Sequence, residues 1–438
     1  MTVLRVALDD IPEYCRPDHG AVTRSQQHIM RNCFRPVFEW HGGALTSSFF
    51  EEWSWDGRLF RGRVTPMRLS NGRTARPETV GQAIHRKFEL LQIRHRLDYT
   101  ETSLAFEVDE TFGPLLSVLT EEDVLVTDNG IGTTYGVTAW DQGYVQLDKV
   151  TSLGGHQLPD TVQFISYKSA DAILDALLSD EIDLAYEVPY RVLREGHPQV
   201  KVTVAPIRSM NGLQFNCQRI SASVRRLIRD NIDLTVILNS VHEGIGIVPD
   251  GLFPTGTLGY AHSTRHNRED RAVLNLSGNL PHELELITRP APIAVQRWGR
   301  AIAEPLRELG INVRIVPLSV GETVARMQRG DFDMAQLGFQ IGPDPYAFLR
   351  GFFSRTGITN LTGFYSPQFE KLLEVARETA SEEARHLLYF QMQSIIRSEV
   401  PVIPTRQGYS IVACRVTNPV PLDPHQDGII IVERGRWG

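Results

Sequence analysis

The chain is poor in cysteine. It has four among 438 residues, Cys15, Cys33, Cys217 and Cys414, and none has the C-x-x-C or Cys/His spacing of a zinc site. Unpatterned cysteines usually pack as small hydrophobic side chains. We therefore expect buried free thiols. The 13 histidines show no ligand spacing either, so we predict no bound metal.

The chain also lacks an apolar run of about 18 residues, so we predict no membrane span. The first residues, MTVLRVALDDIPEY, lack the basic stretch, apolar segment and small-residue cleavage site of a signal peptide. The expected location is cytoplasmic for the chain as written. It is periplasmic or at the cell surface if a leader was removed.

Positive charge is not in excess. There are 45 Lys and Arg residues against 52 Asp and Glu residues, which gives a net charge of -7. Nucleic-acid-binding chains are usually basic, so we predict no nucleic-acid partner. His242-Glu243 begins like the zinc motif HExxH, but residue 246 is glycine, and no GxSxG is present. We therefore predict no cofactor and lean against an enzyme, although a catalytic set assembled only by folding leaves no such pattern.

The second half of the chain has an alternating pattern of strands and helices. Leu284–Thr288 is strand-like, and Trp298, Ile302 and Leu306 then recur at helical spacing. A second strand-like run, Asn312–Pro317, precedes Ser319, which with Glu322 forms a capping box for the next helix. DFDMAQLGF reads as a third strand. This order predicts parallel strands joined by crossover helices.

The same unit recurs earlier in the chain. ALLSDEIDLA at 176–185 and RMQRGDFDMA at 326–335 both run from an amphipathic helix through a polar turn into a strand. The repeat predicts two similar α/β lobes. The stretch from about 46 to 150 differs, with short alternating runs, Gly turns and one helix near Pro77, and it indicates a smaller α+β insert.

Six segments together resemble the family 5 extracellular solute-binding proteins, the dipeptide- and oligopeptide-binding components of ABC importers. The segments are VLRVALDDIPEYCRPDHG, WSWDGRLFRGRVTPMRLSNGRTARPETVGQAI, GIGTTYGVTAWDQG, GLQFNCQRISASVRRLIRDNIDLTVILNSVHEG, LGFQIGPDPYAFL and VPVIPTRQGY. They stand in the family's order and cover nearly the whole chain.

The resemblance implies a type II periplasmic-binding-protein-like fold, with two α/β lobes around a ligand cleft plus a smaller α+β insert domain. Lobe I would comprise 1–45, 151–225 and 405–438, the insert 46–150, and lobe II 226–404. Hinge closure would bury a small peptide-like or other polar solute. The implied role is capture of that solute, with an ABC permease as a partner, and we expect a monomer.

One loop departs from the family pattern. In the peptide binders an Asp four residues before the "DP" pair binds the peptide's amino group; here Phe339–Pro345 is one residue shorter and lacks that Asp. The sequence RSQQHIMRNCFRPVF also resembles the binding domain of sugar-phosphate-stress transcription regulators, which lack it too. Two alternatives therefore stay open: a cytoplasmic enzyme of a specialised biosynthetic pathway that reuses the cleft, and a stand-alone cytoplasmic ligand sensor.

By the same resemblance, eight residues are candidates for ligand contact. Arg406 would bind a ligand carboxylate through two hydrogen bonds or pair with a local acid. Phe339 and Tyr346 would stack on the ligand or pack in the core. Asn216 would meet a ligand backbone or hold the hinge. The full set is Phe215, Asn216, Phe339, Gln340, Asp344, Tyr346, Arg406 and Tyr409. Separately, Arg225, Arg226 and Arg229 form a basic helix face, for which solvation is favoured over a phosphate-bearing partner.

Overall fold

The computed structural model describes eleven stretches of the chain, which are residues 3–9, 11, 24–41, 44–69, 71–120, 124–126, 134–150, 158–260, 280–290, 297–422 and 428–435. The chain forms two compact units. Unit 1 comprises Met1–Ala205 and Tyr409–Gly438, and unit 2 comprises Pro206–Gly408. The three-domain division expected from the sequence stays a prediction.

Unit 1 contains most of the strands. Its strands are β1 (Val3–Leu8), β2 (Arg35–Pro36), β3 (Glu39–His41), β4 (Ala44–Thr46), β5 (Phe50–Trp55), β6 (Leu59–Val64), β7 (Met67–Arg68), β8 (Thr74–Ala75), β9 (His95–Tyr99), β10 (Ser103–Val108), β11 (Leu125–Val126), β12 (Tyr135–Asp141), β13 (Tyr144–Lys149), β14 (Thr161–Ser166) and β15 (Leu184–Ala185). Its helices are α1 (Arg24–Cys33), α2 (Pro77–Leu90), α3 (Leu115–Val118), α4 (Ala170–Leu178) and α5 (Tyr190–Glu195).

The main sheet of unit 1 is built around β1. This strand pairs in parallel with β14 on one side and with β15 on the other, while β13 and β12 extend the sheet in antiparallel fashion. Val6, Phe164 and Leu184 lie in its core, and Ile29 of α1 packs against them. Ser169 caps α4, because its side chain accepts a hydrogen bond from the Ala172 amide at 3.1 Å.

A second, antiparallel sheet of order β5-β6-β10-β9 lies within the stretch expected to be an insert. The rings of Phe60 and Phe106 stack at 4.7 Å, and Phe88 of α2 meets Phe106 edge to face at 5.3 Å. A Cβ at Gly62 would lie 2.5 Å from the Phe50 ring, so this strand needs glycine there. Strands β12 and β13 belong to the main sheet of unit 1 instead.

Unit 2 contains the α/β elements of the second half of the chain. The chain enters it along β16 (Val200–Phe215) and leaves it along β20 (Val402–Arg415). Its other elements are α6 (Ala222–Asn231), α7 (Leu234–His242), β17 (Glu283–Thr288), α8 (Gly299–Glu308), β18 (Asn312–Pro317), α9 (Val320–Gln328), β19 (Met334–Gln340), α10 (Tyr346–Phe353), α11 (Pro367–Glu378) and α12 (Glu382–Glu399).

The strand and helix order predicted for the second half is confirmed. β17 pairs in parallel with β18 and β19, and α8 and α9 are the helices between them. Ser319 and Glu322 form the predicted capping box of α9. Trp298, Ile302 and Leu306 are all buried in the core of unit 2. The α/β class predicted from the sequence is therefore correct.

The two copies of the sequence repeat form the same turn and the same contact with a neighbouring strand. Asp183 precedes β15, and its carboxylate accepts a hydrogen bond from the Arg5 amide of β1 at 2.9 Å. Asp333 precedes β19 and accepts from the Glu285 amide of β17 at 3.0 Å. The preceding turn is left-handed in each unit, with φ of 68° at both Asp180 and Gly330. The two halves of the repeat thus make the same backbone contact.

The basic helix face was interpreted wrongly for one residue. Arg225 is buried rather than solvated, and its guanidinium donates hydrogen bonds to the carbonyl oxygens of Glu399 at 2.6 Å and Val400 at 3.1 Å. These carbonyls lie at the C-terminus of α12, where a cation satisfies groups that the helix itself cannot. The number of arginines on α6 does not reveal that Arg225 faces the C-terminus of α12.

The three cysteines within the described residues are free thiols. Cys33 and Cys414 are buried, and Cys217 is partly exposed. Cys15 lies outside the described residues. None of the helices in the described stretches is both long enough and apolar enough to cross a bilayer.

Candidate functional site

Ligands of open α/β sheets bind beyond the carboxyl ends of the parallel strands. In unit 1 these strands are β14, β1 and β15, and their register places Leu8 beside Ser166 and Ala7 beside Ala185. Asp9 follows β1 directly, and Tyr186 and Glu187 follow β15. These side chains therefore meet at one edge of the sheet, which we call the unit 1 strand-end site.

The unit 1 strand-end site is acidic. Asp9 is exposed and accepts a hydrogen bond from the Ser25 hydroxyl of α1 at 3.1 Å. The Tyr186 hydroxyl also hydrogen-bonds Asp9, and burial and this carboxylate raise the tyrosine pKa. Glu187 is half-buried. Burial raises its pKa, and the nearby Asp9 raises it further. Two carboxyl groups thus share one edge of the sheet.

Among the described residues, no cation pairs with Glu187. Within the described stretches it makes no hydrogen bond and no ion pair. A partly buried carboxylate without such a partner is costly, because the protein replaces only part of the hydration that it loses. This edge of unit 1 therefore favours a cationic guest.

A buried histidine of α1 packs against Tyr186 of the strand-end site. His28 of α1 is fully buried, and its ring lies 4.8 Å from the Tyr186 ring, measured between centroids. Its Nδ1 accepts the Ile430 amide hydrogen at 2.8 Å, so the neutral ring carries its proton on Nε2. Burial lowers the pKa of His28 to about 3. Asn32, one turn further, accepts the Val432 amide hydrogen at 2.8 Å.

Unit 2 has a strand end of different charge. Arg289 follows β17 as Asp9 follows β1, and it is exposed. Its amide donates to the Gln336 side chain at 3.3 Å, and Gln336 stands in the repeat where Tyr186 stands in unit 1. The residue that follows the first strand of each unit's repeat is therefore acidic in unit 1, Asp9, and basic in unit 2, Arg289.

Four of the predicted ligand residues are aromatic, and three of them, Phe215, Phe339 and Tyr346, are buried. Phe215 is fully buried in the core of unit 2. Phe339 stacks on Phe348 with ring centroids 5.3 Å apart, and Tyr346 is only 3% exposed. The structure gives these rings packing roles, and contact with a ligand stays a prediction for them.

Two predicted polar residues are occupied by the protein itself. The Asn216 amide nitrogen donates to the carbonyls of Gly330 and Phe332, both at 3.0 Å, which ties β16 to the turn before β19. Asp344 is buried against Arg385, with 3.0 Å between Nη2 and Oδ2.

The Tyr389 hydroxyl also donates to Asp344, at 2.7 Å. Burial raises the pKa of the Asp344 carboxyl, and the Arg385 guanidinium opposes that shift. The carboxylate also accepts the Tyr346 amide hydrogen at 3.0 Å, at the start of α10. Asp344 therefore anchors α10 to α12.

The remaining three predicted residues are accessible. Gln340 is exposed at the end of β19, and Arg406 in unit 2 and Tyr409 in unit 1 are partly exposed. The Arg406 Nε donates to the Ile245 carbonyl at 2.9 Å. Ligand contact stays a prediction for these three as well.

The sequence analysis missed Asp9, Tyr186 and Glu187. Part of the signal was available, because Tyr186 and Glu187 directly follow the strand of the sequence repeat and Asp9 lies in the first segment of the family resemblance. Placing them side by side required the parallel pairing.

Comparison with known protein families gives a match over residues 128–360 to the bacterial extracellular solute-binding proteins, family 5. That match covers more than half of the chain. The chain belongs to this family.

Two curated relatives illustrate the family's range. The probable di/tripeptide-binding protein 5 of Pseudomonas aeruginosa is 28% identical over 192 residues, which are 41% of this chain and 36% of that protein. The probable ABC transporter periplasmic-binding protein SapA of Escherichia coli is 26% identical over 264 residues, 55% of this chain and 47% of SapA. The chain thus spans less than half the length of these family 5 relatives.

Solved structures share the fold over the full length. The periplasmic binding protein DppA of Helicobacter pylori, in complex with the peptide STSA, superposes with a TM-score of 0.83 at 17% identity, covering 99% of this chain and 97% of DppA. The predicted type II periplasmic-binding-protein-like fold is confirmed for this family 5 chain.

The buried His28 predicts acid sensitivity. Its pKa is about 3 in the fold and 6.5 ordinarily, so the unfolded chain binds more protons between these values. The free energy of unfolding should fall as pH drops below about 6.5, by up to about 1.4 kcal/mol per pH unit. Urea midpoints measured from pH 7.5 to 4.5 should show this contribution, and His28→Asn should remove it. Burial also lowers the pKa of His242 to about 3, so part of the total slope should remain. The exposed His41→Asn is the control; parallel profiles for wild type and His28→Asn would contradict the prediction.

The Asp344–Arg385 pair predicts a stability role for Asp344. Asp344→Asn leaves the buried guanidinium without its counterion, and we expect a loss of about 3–5 kcal/mol in urea unfolding. Gln340→Ala, at an exposed position nearby in the chain, should change stability by less than about 0.5 kcal/mol. An equal, small effect of both substitutions would show that Asp344 does not anchor α10.

Proposed function

We propose that this chain is a solute-binding protein for a peptide-like solute with a free amino group, and that Asp9 and Glu187 receive that group. The observation that carries the proposal is the half-buried Glu187 carboxyl, which has no counterion in the described stretches and stands beside a second carboxyl. A bound ammonium group supplies the missing positive charge and hydrogen-bond donors.

The departure in the loop between β19 and α10 supports the same placement. In the peptide binders that this chain resembles, an Asp of this loop binds the amino group, and here Phe339–Pro345 has no Asp at that position. The one acid of the loop, Asp344, is held by Arg385 and Tyr389. A ligand cation therefore needs another acidic partner, and the unit 1 strand-end site has two.

In unit 1, the partly exposed Tyr409 offers a hydroxyl for the rest of the solute. In unit 2, the accessible Gln340 and Arg406 carry an amide and a guanidinium, and ligand contact stays a prediction for both. A guanidinium suits a ligand carboxylate, which a peptide also carries. SapA is a probable ABC transporter periplasmic-binding protein, and we likewise propose handover of the solute to an ABC permease and action outside the cytoplasm as a monomer.

Titration calorimetry with unlabelled peptides tests the ligand class. The purified chain, first unfolded and refolded to remove carried-over solute, is titrated with a panel of di- and tripeptides. We expect at least one free peptide to bind in the micromolar range or tighter. Its N-acetyl form should bind at least tenfold more weakly, because acetylation removes the cation. If no peptide binds, or acetylation has no effect, the proposed ligand class is wrong.

Substitutions at the site should separate binding from stability. We expect Glu187→Gln and Asp9→Asn to weaken peptide binding about tenfold. The raised pKa of Glu187 means that its carboxylate is disfavoured in the fold, so its stability contribution is lost as pH rises through that pKa. Glu187→Gln should therefore raise the ligand-free melting temperature at pH 7 by about 2 °C.

The matched control is Asp175→Asn, an exposed carboxylate on α4 of the same unit. It makes the same change in charge and should alter neither peptide affinity nor melting temperature. If Asp175→Asn weakens binding as much as Glu187→Gln does, net charge rather than this site governs affinity. If Glu187→Gln lowers the melting temperature, its carboxylate has a structural partner.

A further inference from the structure

Two histidines and a glutamate converge on the surface of unit 1, away from the strand-end site. His85 and Glu89 lie four residues apart on α2, and His95 is the first residue of β9. One ligand atom from each lies within 4.8 Å of the others. His85 and Glu89 are exposed and His95 is partly buried, so solvent reaches the cluster.

The backbone fixes His95 over the last turn of α2. The helix ends in a tight reversal in which the Ile93 amide donates to the Phe88 carbonyl at 2.8 Å. Gln92 takes the left-handed conformation, with φ of 55°, that such a reversal requires. The His95 ring then packs edge-on against the buried Phe88 ring, with centroids 4.8 Å apart. This histidine is held in place before any ligand arrives.

A hydrogen bond also sets the tautomer of His95. Its Nδ1 lies 2.8 Å from the Ile93 carbonyl oxygen, which only accepts, so Nδ1 carries the proton. The Nε2 lone pair therefore faces outward, and the nearest group is the His85 Nδ1 at 2.8 Å. A histidine that donates one ring N–H to a backbone carbonyl and presents the other nitrogen is the usual arrangement of a metal-binding histidine.

We propose that His85, Glu89 and His95 bind a divalent transition-metal ion, with Zn²⁺ as the ion that the donors fit best. Two imidazole nitrogens and one carboxylate oxygen are a donor set that Zn²⁺ accepts, with a water completing the tetrahedron. Zinc–ligand distances are about 2.0–2.2 Å, so the three ligand atoms, which lie within 4.8 Å of one another, would draw closer together around the ion. The ion replaces the hydrogen bond between the two imidazoles and joins the end of α2 to β9.

This site is independent of peptide binding, because none of its residues belongs to the strand-end site. It ties together the helix and the antiparallel sheet of the stretch between residues 50 and 108. Its expected effect is therefore on stability, since a ligand that binds only the folded chain raises the melting temperature.

Zinc binding is measured on the full chain without an affinity tag, after chelator treatment, by competition with a chromophoric chelator. We expect one Zn²⁺ per chain with micromolar or tighter affinity, and a rise of several degrees in melting temperature with excess Zn²⁺. Co²⁺ bound at the same place should show the visible absorption of tetrahedral coordination.

Substitutions decide whether these three residues hold the ion. His85→Gln and Glu89→Gln, both at exposed helix positions, should each weaken Zn²⁺ binding at least tenfold and abolish the thermal shift. His41→Gln, at an exposed histidine elsewhere in unit 1, should leave both unchanged. The proposal is overturned if Zn²⁺ binds with unchanged affinity to His85→Gln, or if no stoichiometric binding is found. In that case the two imidazoles are joined by a hydrogen bond alone.

Discussion

The structure depends on one interaction that occurs once in each unit, a buried or half-buried aspartate that binds the backbone of the neighbouring parallel strand. Asp183 holds the Arg5 amide, and Asp333 holds the Glu285 amide. Each carboxylate also meets an arginine, Arg5 in unit 1 at 2.9 Å and Arg219 in unit 2 at 3.3 Å. Because the bond fixes which residues of the two strands lie side by side, it also fixes which side chains emerge together at the strand ends.

The aspartate contact is the same in both units, but the residues that follow it at the strand ends differ. Two residues of regular pairing follow the aspartate, and then the chain reaches Tyr186 and Glu187 in unit 1 and Gln336 and Leu337 in unit 2. These residues lie past the positions that pair with the neighbouring parallel strand, so their identity does not enter that pairing. The contact that fixes the register is thus separate from the side chains at the strand ends.

Local rules in the sequence predicted much of the fold. The capping box at Ser319, the strand Asn312–Pro317 and the internal repeat depend on residues near each other in the chain, and all three are confirmed. The site was harder, because Asp9 and Glu187 become neighbours only through strand pairing. The burial of the motif residues could not be predicted for a similar reason. A family motif places Phe215 and Phe339 in the chain, but burial is decided by residues that pack from other elements.

The pairing of Asp344 has a consequence for where a ligand cation can bind. A buried carboxylate that is already balanced by Arg385 and hydrogen-bonded by Tyr389 gains little from a second cation, and losing either partner is costly. Glu187 is in the opposite situation, because its hydration is partly removed and no cation among the described residues replaces it. A ligand ammonium improves the environment of Glu187 and leaves the Asp344 network intact. The electrostatic cost of the ligand-free site is thus what favours binding a cation at unit 1.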